Sequence, residues 1–515
     1  MRLRRFLHPF IMLAAILVLL CFTLPDNAIL PVDNISQQST TESSMAPSTT
    51  LPTPNVTNNI PPTKNVATTS EASEASASTS APSKTGAPSS TNGSGNIFGG
   101  KATNDAPTKS QTKPLVASAY QNNVPLVVTT IYAPKPTTTG AQTPKSNKPF
   151  RAVWISYMEL PKATVTKEQY AATADKIFSN IANVGFNAAF VHVIPFADSI
   201  YPSQIFPWSR FVTGINGKVP DYDPLAILLK SAKKYGIAFH VWINPFRVQS
   251  SDTDESKLPP DSPAAKWLKD PAAKAKGLVI KTAGGIYFNP AASEVHALIC
   301  NGVREILRNY DVDGIHLDDY FYPSQDITID SIQYTEYKRG GGTLPLDNWR
   351  RASVNAFIAG LYQTVKSEKP GTVFSISPGG NIQRNREELY ADAAHWVSAP
   401  GYVDMIIPQL YYGFENQAMP FEKAAKQWND MVKLPSVELV FGLAAYKSGK
   451  LDEKAGRGAA EWQRYDDILA REAAFVQKRH PGVGLALYSY AYVLGNKKTS
   501  VVETELAKLY AGGVW

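Results

Sequence analysis

The chain has 515 residues, with 51 Lys and Arg against 44 Asp and Glu, and a formal net charge of +7 at pH 7. This excess is small for the length and the basic residues are scattered along the chain, so nucleic-acid binding is not expected. The two cysteines, Cys21 and Cys300, exclude a disulfide framework.

The N-terminus has the pattern of an export segment. Three arginines lie within residues 2–5, and residues 10–24 are almost wholly apolar. This pattern is typical of a secretory signal, so residues 1–26 are predicted to be a signal peptide or a membrane anchor. The protein is therefore expected outside the cell or at the cell surface, with the N-terminal segment as its one membrane contact.

Residues 27–147 are rich in Ser, Thr, Pro, Asn and Ala. Such a segment cannot bury enough apolar surface to offset the loss of chain entropy, so a disordered linker is predicted here. Residues 124–134 are an exception that could form an isolated strand. The composition changes at about residue 148, and a folded domain is predicted over residues 148–515.

Within this domain, apolar β-type runs alternate with helical segments. The predicted strands are residues 152–156, 187–194, 238–245, 314–319, 372–377, 403–411, 438–446 and 484–490. The predicted helices that follow them are residues 167–184, 224–235, 293–310, 348–368, 386–397, 421–431, 462–479 and 501–510. Eight β/α pairs predict an α/β fold, the (β/α)8 TIM barrel.

The fourth strand lies in the segment DVDGIHLDDYFYP, residues 311–323. Because side chains alternate along a strand, His316 and Asp318 are expected to face the barrel interior, with Asp319 at the rim. Carboxylates at the C-terminal end of a barrel strand, beside aromatic rings, suit chemistry on a sugar ring. The competing interpretation is an acidic loop that only caps a helix.

The C-terminal ends of the other strands should deliver their residues to the same mouth of the barrel. The candidate catalytic residues are Asp318, Asp319 and Glu415. The candidate substrate-binding residues are Trp154, His192, Tyr201, Trp208, Asn244, Arg247, His316, Tyr320, Tyr322, Asn381, Gln409, Tyr411 and Tyr488. This mixture of aromatic rings, amides and acids favours a carbohydrate cleft over an apolar pocket.

Some of these residues have structural alternatives. His316 lies deeper than Asp318 and is expected to orient that acid, Trp208 could lock its loop, and Glu415 could be a solvated loop residue. Asn244 and Arg247 are expected to hydrogen-bond sugar hydroxyls or a carboxylate on the substrate. No histidine pair marks the end of the first strand, so no metal and no other cofactor is predicted.

Seven ordered blocks carry a family resemblance. They are RAVWISY, FVHVIPFADSIYPSQIFPWSRFVTG, DYDPLAILLKSAKKYGIAFHVWINPFRV, FNPAASEV, DGIHLDDYFYP, SISPGGN and IIPQLYYG. Together they resemble the glycosyl hydrolase-like family 10 proteins over roughly residues 150–515. The resemblance implies an exported bacterial glycosidase-like barrel, and some members of the family act on peptidoglycan glycan strands freed of peptides.

The predicted function is therefore hydrolysis of O-glycosidic bonds in a bacterial cell-wall or related amino-sugar polysaccharide, by a monomer. One mechanism pairs Asp318 or Asp319 with Glu415 across the mouth. The other uses the adjacent acids with the substrate's N-acetyl group as the nucleophile. The alternatives are a metal-dependent deacetylase or amidohydrolase, and a carbohydrate-binding barrel without turnover.

Overall fold

The computed structural model describes residues 149–513. The predicted signal or anchor segment, the predicted linker and the possible strand at residues 124–134 lie outside the described residues. Within residues 149–513, none of the helices combines the length and the apolar character needed to cross a membrane.

The described part contains a closed parallel barrel and a small separate sheet. Its strands are β1 Arg151–Ile155, β2 Ala188–Ile194, β3 Ala238–Ile243, β4 Arg247–Ser250, β5 Val279–Thr282, β6 Gly285–Phe288, β7 Gly314–Leu317, β8 Val373–Ile376, β9 Met405–Ile406, β10 Glu438–Leu443 and β11 Gly484–Leu487. The barrel order is β1-β11-β10-β9-β8-β7-β3-β2, and the small sheet has the order β4-β6-β5. The prediction of an eight-stranded (β/α)8 barrel is confirmed for the described residues.

The first two long helices of the barrel start at a capping side chain. Thr166 accepts from the backbone N–H of Gln169, whose side chain accepts in return from Thr166, and Asp223 caps the next long helix. The helices of eight or more residues are Lys167–Asn183, Pro224–Lys234, Ser293–Asn309, Ser331–Arg339, Leu346–Glu368, Phe421–Met431, Ile468–Arg479 and Ser500–Ala511. The shorter ones are Arg210–Thr213, Pro263–Lys269, Pro271–Ala275, Ile382–Glu387, Ala393–Trp396, Glu461–Arg464 and Tyr490–Val493.

Two predicted helices are interrupted. The segment predicted as residues 386–397 forms the short helices Ile382–Glu387 and Ala393–Trp396, and Tyr390 between them has a φ of +50°, outside the helical region. The segment predicted as residues 462–479 breaks between Arg464 and Ile468. Helical periodicity alone did not indicate these interruptions, because both halves keep apolar residues at helical spacing.

The sequence did not predict the three strands that follow Asn244, because the segment from there to residue 292 has the composition of a long polar loop. It contains the antiparallel sheet of β4, β5 and β6, together with the helices Pro263–Lys269 and Pro271–Ala275. Since β4 begins at Arg247, this sheet positions that arginine directly after β3.

The alternation predicted for the fourth barrel strand, β7, is confirmed. Ile315 and Leu317 belong to the large apolar layer between the barrel and its helices. His316 lies inside the barrel, where its ring centroid is 4.2 Å from that of Phe190. A second apolar cluster, which includes Trp154, Phe190 and Trp242, fills this interior, so the barrel is a packed core that closes the cleft from below.

Gly314 has a steric requirement that can be tested. A Cβ atom at this position would overlap the ring of His240, whereas no described atom lies within 4 Å of a Cβ built on Gly360 in the helix Leu346–Glu368. Gly314→Ala is therefore expected to lower the free energy of unfolding by about 1–3 kcal/mol, the usual result of overpacking. Gly360→Ala, its control, is expected to raise it by about 0.5–1 kcal/mol.

Chemical denaturation of the two variants and the unmodified protein measures both changes. If the Gly314→Ala protein were as stable as the unmodified one, the ring of His240 could move aside without a measurable loss of stability, and the steric requirement would be wrong.

Candidate active site

A cleft opens at the C-terminal ends of the barrel strands and encloses about 480 Å³, part of it open to solvent. Nine of the residues predicted for the site line this cleft: Trp154, His192, Arg247, Asp318, Asp319, Tyr320, Gln409, Tyr411 and Tyr488. They come from the ends of β1, β2, β7, β9 and β11 and from the start of β4. The strand ends thus bring together residues separated by more than 300 positions in the chain.

Asp318 is the most firmly held side chain of the cleft. It is 3% exposed, and the indole Nε1 of Trp242 donates a hydrogen bond of 2.8 Å to its Oδ2. The Asn244 amide Nδ2 lies 3.3 Å from the same oxygen, and the backbone N–H of Tyr320 donates to Oδ1 at 3.3 Å. Three N–H donors therefore fix the orientation of this carboxyl group.

Asn244, a predicted substrate contact, does not line the cleft and is bound to other residues of the site instead. The residue is 1% exposed; its Nδ2 faces Asp318 and its Oδ1 accepts from the backbone N–H of Arg247 at 3.0 Å. Because both ends of the amide are used, Asn244 links the carboxyl at the end of β7 to the first residue of β4.

Asp319 has a different environment from its neighbour. Its Oδ1 is buried and has no hydrogen-bond partner among the described residues, and the side chain of Gln409 is within hydrogen-bonding reach of the carboxyl group. The Gln409 Nε2 also donates to the carbonyl oxygen of Ser377 at 3.0 Å. The residue as a whole is half-buried and lines the cleft, so a ligand can contact the carboxyl group although Oδ1 itself has no exposed surface.

The two acids share an environment that favours protonation. Burial, and then the charge of Asp319, raise the pKa of Asp318 to about 7, although Arg247 and the Trp242 N–H act in the opposite direction. Burial also raises the pKa of Asp319. Two neighbouring buried carboxyls of this kind retain a proton near neutral pH because ionising both is costly.

Arg247 is held between two aromatic rings. Its guanidinium carbon lies 4.2 Å from the centroid of Phe196 and 4.7 Å from that of Tyr320, and its Nε donates to the carbonyl oxygen of Pro195 at 3.4 Å. The planar group lines the cleft while its side chain is only 2% exposed. It contributes a fixed positive charge beside the two acids.

His192 lines the cleft with both ring nitrogens unpartnered among the described residues. Its ring stacks on Trp242 with a centroid distance of 3.7 Å and an interplanar angle of 12°. Burial and the charge of Arg247 hold its pKa well below the usual value, so the imidazole is neutral. A neutral imidazole carries one donor and one acceptor, and both are unsatisfied here.

The predicted role of His316 is wrong. The residue is wholly buried, and its ring nitrogens contact Trp154 Nε1 at 3.2 Å, Ser375 Oγ at 2.9 Å and Ser377 Oγ at 3.2 Å. None of these groups belongs to Asp318. His316 therefore fixes the indole of Trp154 from below, and Trp242 and Asn244 orient the acid instead.

An aromatic wall closes the side of the cleft opposite Arg247. Trp154 lies 6.1 Å from Tyr488, and Tyr488 lies 6.0 Å from Tyr411, measured between ring centroids. These rings come from the ends of β1, β9 and β11. Ring faces of this kind are the surfaces on which sugar rings stack.

Two predicted residues of the loop after β2 lie away from the cleft. Tyr201 is wholly buried and its hydroxyl donates to Glu305 at 3.0 Å. Trp208 forms an isolated bridge with Ser199 and packs against the main apolar layer. Both residues hold the loop in place, which for Trp208 is the structural alternative that the sequence offered, and neither lines the cleft.

Tyr322 and Asn381 are also outside the cleft. Tyr322 is wholly buried and its ring packs edge-on against Tyr390 at 5.3 Å. Asn381 caps the helix Ile382–Glu387 by accepting from the backbone N–H of Arg384 at 3.0 Å. Their residue types suit a carbohydrate cleft, but the chain turns away from the cleft after each strand and directs both side chains elsewhere.

Glu415, the third candidate acid, is exposed and lies outside the cleft lining. Its carboxylate pairs with Arg464 at 3.3 Å, and its backbone N–H donates to Glu461 at 2.9 Å. The mechanism that pairs Glu415 with an acid of β7 therefore has no geometric basis, because the carboxylate is directed to a surface arginine.

Sequence reasoning missed Trp242, Tyr157 and Ser377, which also line the cleft. Trp242 could have been predicted from the sequence, because it lies two residues before Asn244 and strand alternation places both on the interior face. Within residues 149–513, no three His, Cys, Asp or Glu side chains are grouped so as to hold a metal ion.

A closed parallel (β/α)8 barrel with paired buried acids and stacked aromatic rings at its C-terminal mouth defines a glycoside-hydrolase-like protein. A sequence profile of the family described as Glycosyl hydrolase-like 10 matches residues 149–456. The chain belongs to this family, which confirms the resemblance found in the sequence.

Two curated relatives are similar to the chain over most of its folded part. Glycosyl hydrolase YngK of Bacillus subtilis (strain 168) is 35% identical over 348 residues, 63% of this chain and 65% of that protein. Glycosyl hydrolase DigH of Escherichia coli (strain K12) is 31% identical over 337 residues, 60% of this chain and 76% of that protein. The chain thus spans just under two-thirds of the length of YngK.

Among solved structures, alpha-L-fucosidase isoenzyme 2 from Paenibacillus thiaminolyticus matches with a TM-score of 0.44 and 14% identity. The match covers 71% of this chain and 49% of that chain.

Proposed function

We propose that this barrel hydrolyses O-glycosidic bonds in a bacterial cell-wall or related amino-sugar polysaccharide. The observation that carries the proposal is the pair Asp318 and Asp319, which line one aromatic cleft, the first buried and the second half-buried, with both pKa values raised. Glycosidic cleavage needs one carboxyl that is protonated and one that is ionised at working pH, and such a pair supplies both.

The position of the acids favours a substrate-assisted mechanism. Ordinary glycosidases place two carboxyls on opposite sides of the scissile bond, but the acids that line this cleft among the described residues are adjacent in the chain. One carboxyl then donates its proton to the glycosidic oxygen while the C–O bond breaks. The acetamido carbonyl oxygen of the substrate attacks the anomeric carbon, and the ionised carboxyl stabilises the acetamido N–H.

Water completes the reaction in this scheme. The carboxylate that donated the proton takes one from the incoming water molecule, which opens the cyclic intermediate and restores the acid. No further protein nucleophile is required. Asp318, held by three N–H donors, and Asp319, with one unpartnered oxygen, are chemically distinct enough to divide the two roles.

Two cleft residues support an amino-sugar substrate. The neutral His192 offers one donor and one acceptor, and an acetamido group offers the complementary pair. Arg247 offers a fixed guanidinium, which suits a sugar that carries a carboxylate. Burial of both side chains makes these contacts stronger than they would be in water.

Location at the cell surface is part of the same proposal. It is supported by the arginine-rich and apolar composition of residues 1–24 and by the low-complexity composition of residues 27–147. A wall polysaccharide would be accessible to a barrel exported in this way.

The test uses the purified protein and peptide-free wall glycan, with products identified by mass spectrometry. We expect oligosaccharides with new reducing ends, and a large loss of rate when the acetamido groups of the glycan are converted to free amines. A glucan without acetamido groups is the control substrate. Release of acetate without new reducing ends would replace this proposal by deacetylation, and a lack of any product from all these polysaccharides would refute it.

A further inference from the structure

A second cleft of about 490 Å³ lies beside the first. Its walls are the loop after β2, with Phe196, Arg210 and Asn216, and the β4 segment, with Val248 and Gln249. Both segments are extensions of barrel loops at the same C-terminal mouth. It is also lined by Leu258, Pro259, Ser262 and Ala264. The lining therefore mixes apolar surface with a guanidinium and amides, which suits a ring that has both an apolar face and hydroxyl groups.

The two clefts share one wall. Arg247 lines the first cleft and stacks on Phe196, which lines the second. Tyr157, also in the first cleft, contacts Phe196 at 5.3 Å and Phe211 at 4.2 Å between ring centroids. A ridge of aromatic rings therefore runs from the carboxyl pair to the second cleft, and a linear ligand that leaves the first cleft across this ridge meets the second.

Both walls of the second cleft are preformed. Glu305 accepts from the hydroxyl of Tyr201 at 3.0 Å and from the backbone N–H of Gln204 at 2.6 Å, which fixes the loop after β2. On the other side, β4 pairs with β6 in an antiparallel ladder. A site of this kind loses little conformational entropy when it binds a ligand.

Arg210 is the charged group that a ligand in this cleft would contact. The residue is exposed at the start of the short helix Arg210–Thr213, and its guanidinium carbon lies 5.0 Å from the centroid of Phe211. The buried Asp198 lies below it, with two hydrogen-bond donors of its own loop, the Phe196 N–H and the Ser209 hydroxyl. Asp198 also attracts the guanidinium of Arg210, which keeps this charged group at the wall of the cleft, where its N–H donors can reach a ligand.

We propose that the second cleft is a distal subsite that binds further sugar residues of the polysaccharide cleaved in the first cleft, with Phe196 as an apolar contact and Arg210 as a hydrogen-bond donor. The proposal rests on the glycosidase function proposed above and adds to it a preference for long chains. A polymer that occupies both clefts gains affinity in proportion to the contacts in the second, whereas a short oligosaccharide in the first cleft gains none.

The test measures binding to the full-length Asp319→Asn protein, in which cleavage is blocked. The probes are peptide-free tetrasaccharide and octasaccharide of alternating N-acetylglucosamine and N-acetylmuramic acid, and titration calorimetry reports each Kd. Adding Arg210→Ala is expected to weaken octasaccharide binding about tenfold, the effect of losing one or two charged hydrogen bonds, and to change tetrasaccharide binding by less than about twofold.

Lys218→Ala is the matched control, because it removes an exposed positive charge from the same loop outside the second cleft. It should leave both affinities unchanged. If Arg210→Ala weakened binding of the two probes equally, or did not weaken octasaccharide binding, the distal subsite would be overturned. Hydrolysis of wall glycan by the unmodified protein would still support the glycosidase proposal. If neither probe binds and the unmodified protein cleaves no glycan, both proposals fall together.

Discussion

Replacing Asp318 or Asp319 by Asn is expected to lower turnover on wall glycan by about 10²–10⁴-fold for each variant, the usual contribution of a positioned acid or base. Each substitution keeps the shape of the side chain but removes the group that gives, takes or balances the proton. Asp319 is half-buried, so the melting temperature of Asp319→Asn should change little. Both oxygens of the buried Asp318 accept from N–H donors, so the amide NH₂ group of Asp318→Asn faces at least one of them and its melting temperature should fall further.

Steady-state kinetics and thermal melting on the same preparations separate these effects. Glu415→Gln is the control, because this acid is exposed and paired with Arg464, and its turnover should match that of the unmodified protein. Near-normal rates in both Asp variants would show that the carboxyl pair of β7 is not catalytic. A rate loss in Glu415→Gln would reopen the mechanism that pairs acids across the mouth.

Trp242→Phe is expected to move one limb of the pH–rate profile to higher pH by about one pH unit. The indole N–H donates to Asp318 at 2.8 Å and so favours the ionised carboxylate. Its removal must raise the pKa of Asp318 above the value of about 7 that burial already produces. The phenyl ring keeps the stacking surface for His192.

The limb that moves assigns the role of Asp318. An acid that donates a proton is active below its pKa, so the loss of rate at alkaline pH would shift to higher pH. A carboxylate that works in its ionised form is active above its pKa, so the loss at acidic pH would shift to higher pH instead. Trp396→Phe, which loses an indole N–H bonded to Asn355 in the outer layer, should move neither limb, and an unchanged profile in Trp242→Phe would contradict the coupling.

The sequence was sufficient to place a side chain inside or outside the barrel wherever its position follows from strand alternation. The two-residue period placed His316 and Asp318 inside the barrel and Ile315 and Leu317 outside it, as the structure shows. The same period, applied to β3, would have added Trp242 to the site. Residues at or directly after strand ends, such as Trp154 and Gln409, reached the cleft because parallel strands of a barrel all end at one mouth.

Contacts made by residues beyond the strand ends could not be read from the chain. Tyr322 and Asn381 follow their strands as closely as the cleft residue Tyr411 follows β9, yet they are used for core packing and a helix cap. Glu415, farther along the loop after β9, is used for a surface ion pair. The direction of a loop depends on which groups satisfy its backbone and side chains, and the partners of Tyr322 and Glu415, which are Tyr390 and Arg464, are tens of residues away.

The sequence by itself determined the family, the eight alternating β/α units and the location of the acid pair, because these depend on periodicity and on ordered local blocks. Only the tertiary structure decided which groups act on that pair. Trp242 lies in β3 and Asn244 in the turn that follows it, more than 70 positions before Asp318. Arg247 is fixed by the rings of Phe196 and Tyr320. The pKa of a buried carboxyl depends on such neighbours, and their distances are set by barrel closure rather than by spacing along the chain.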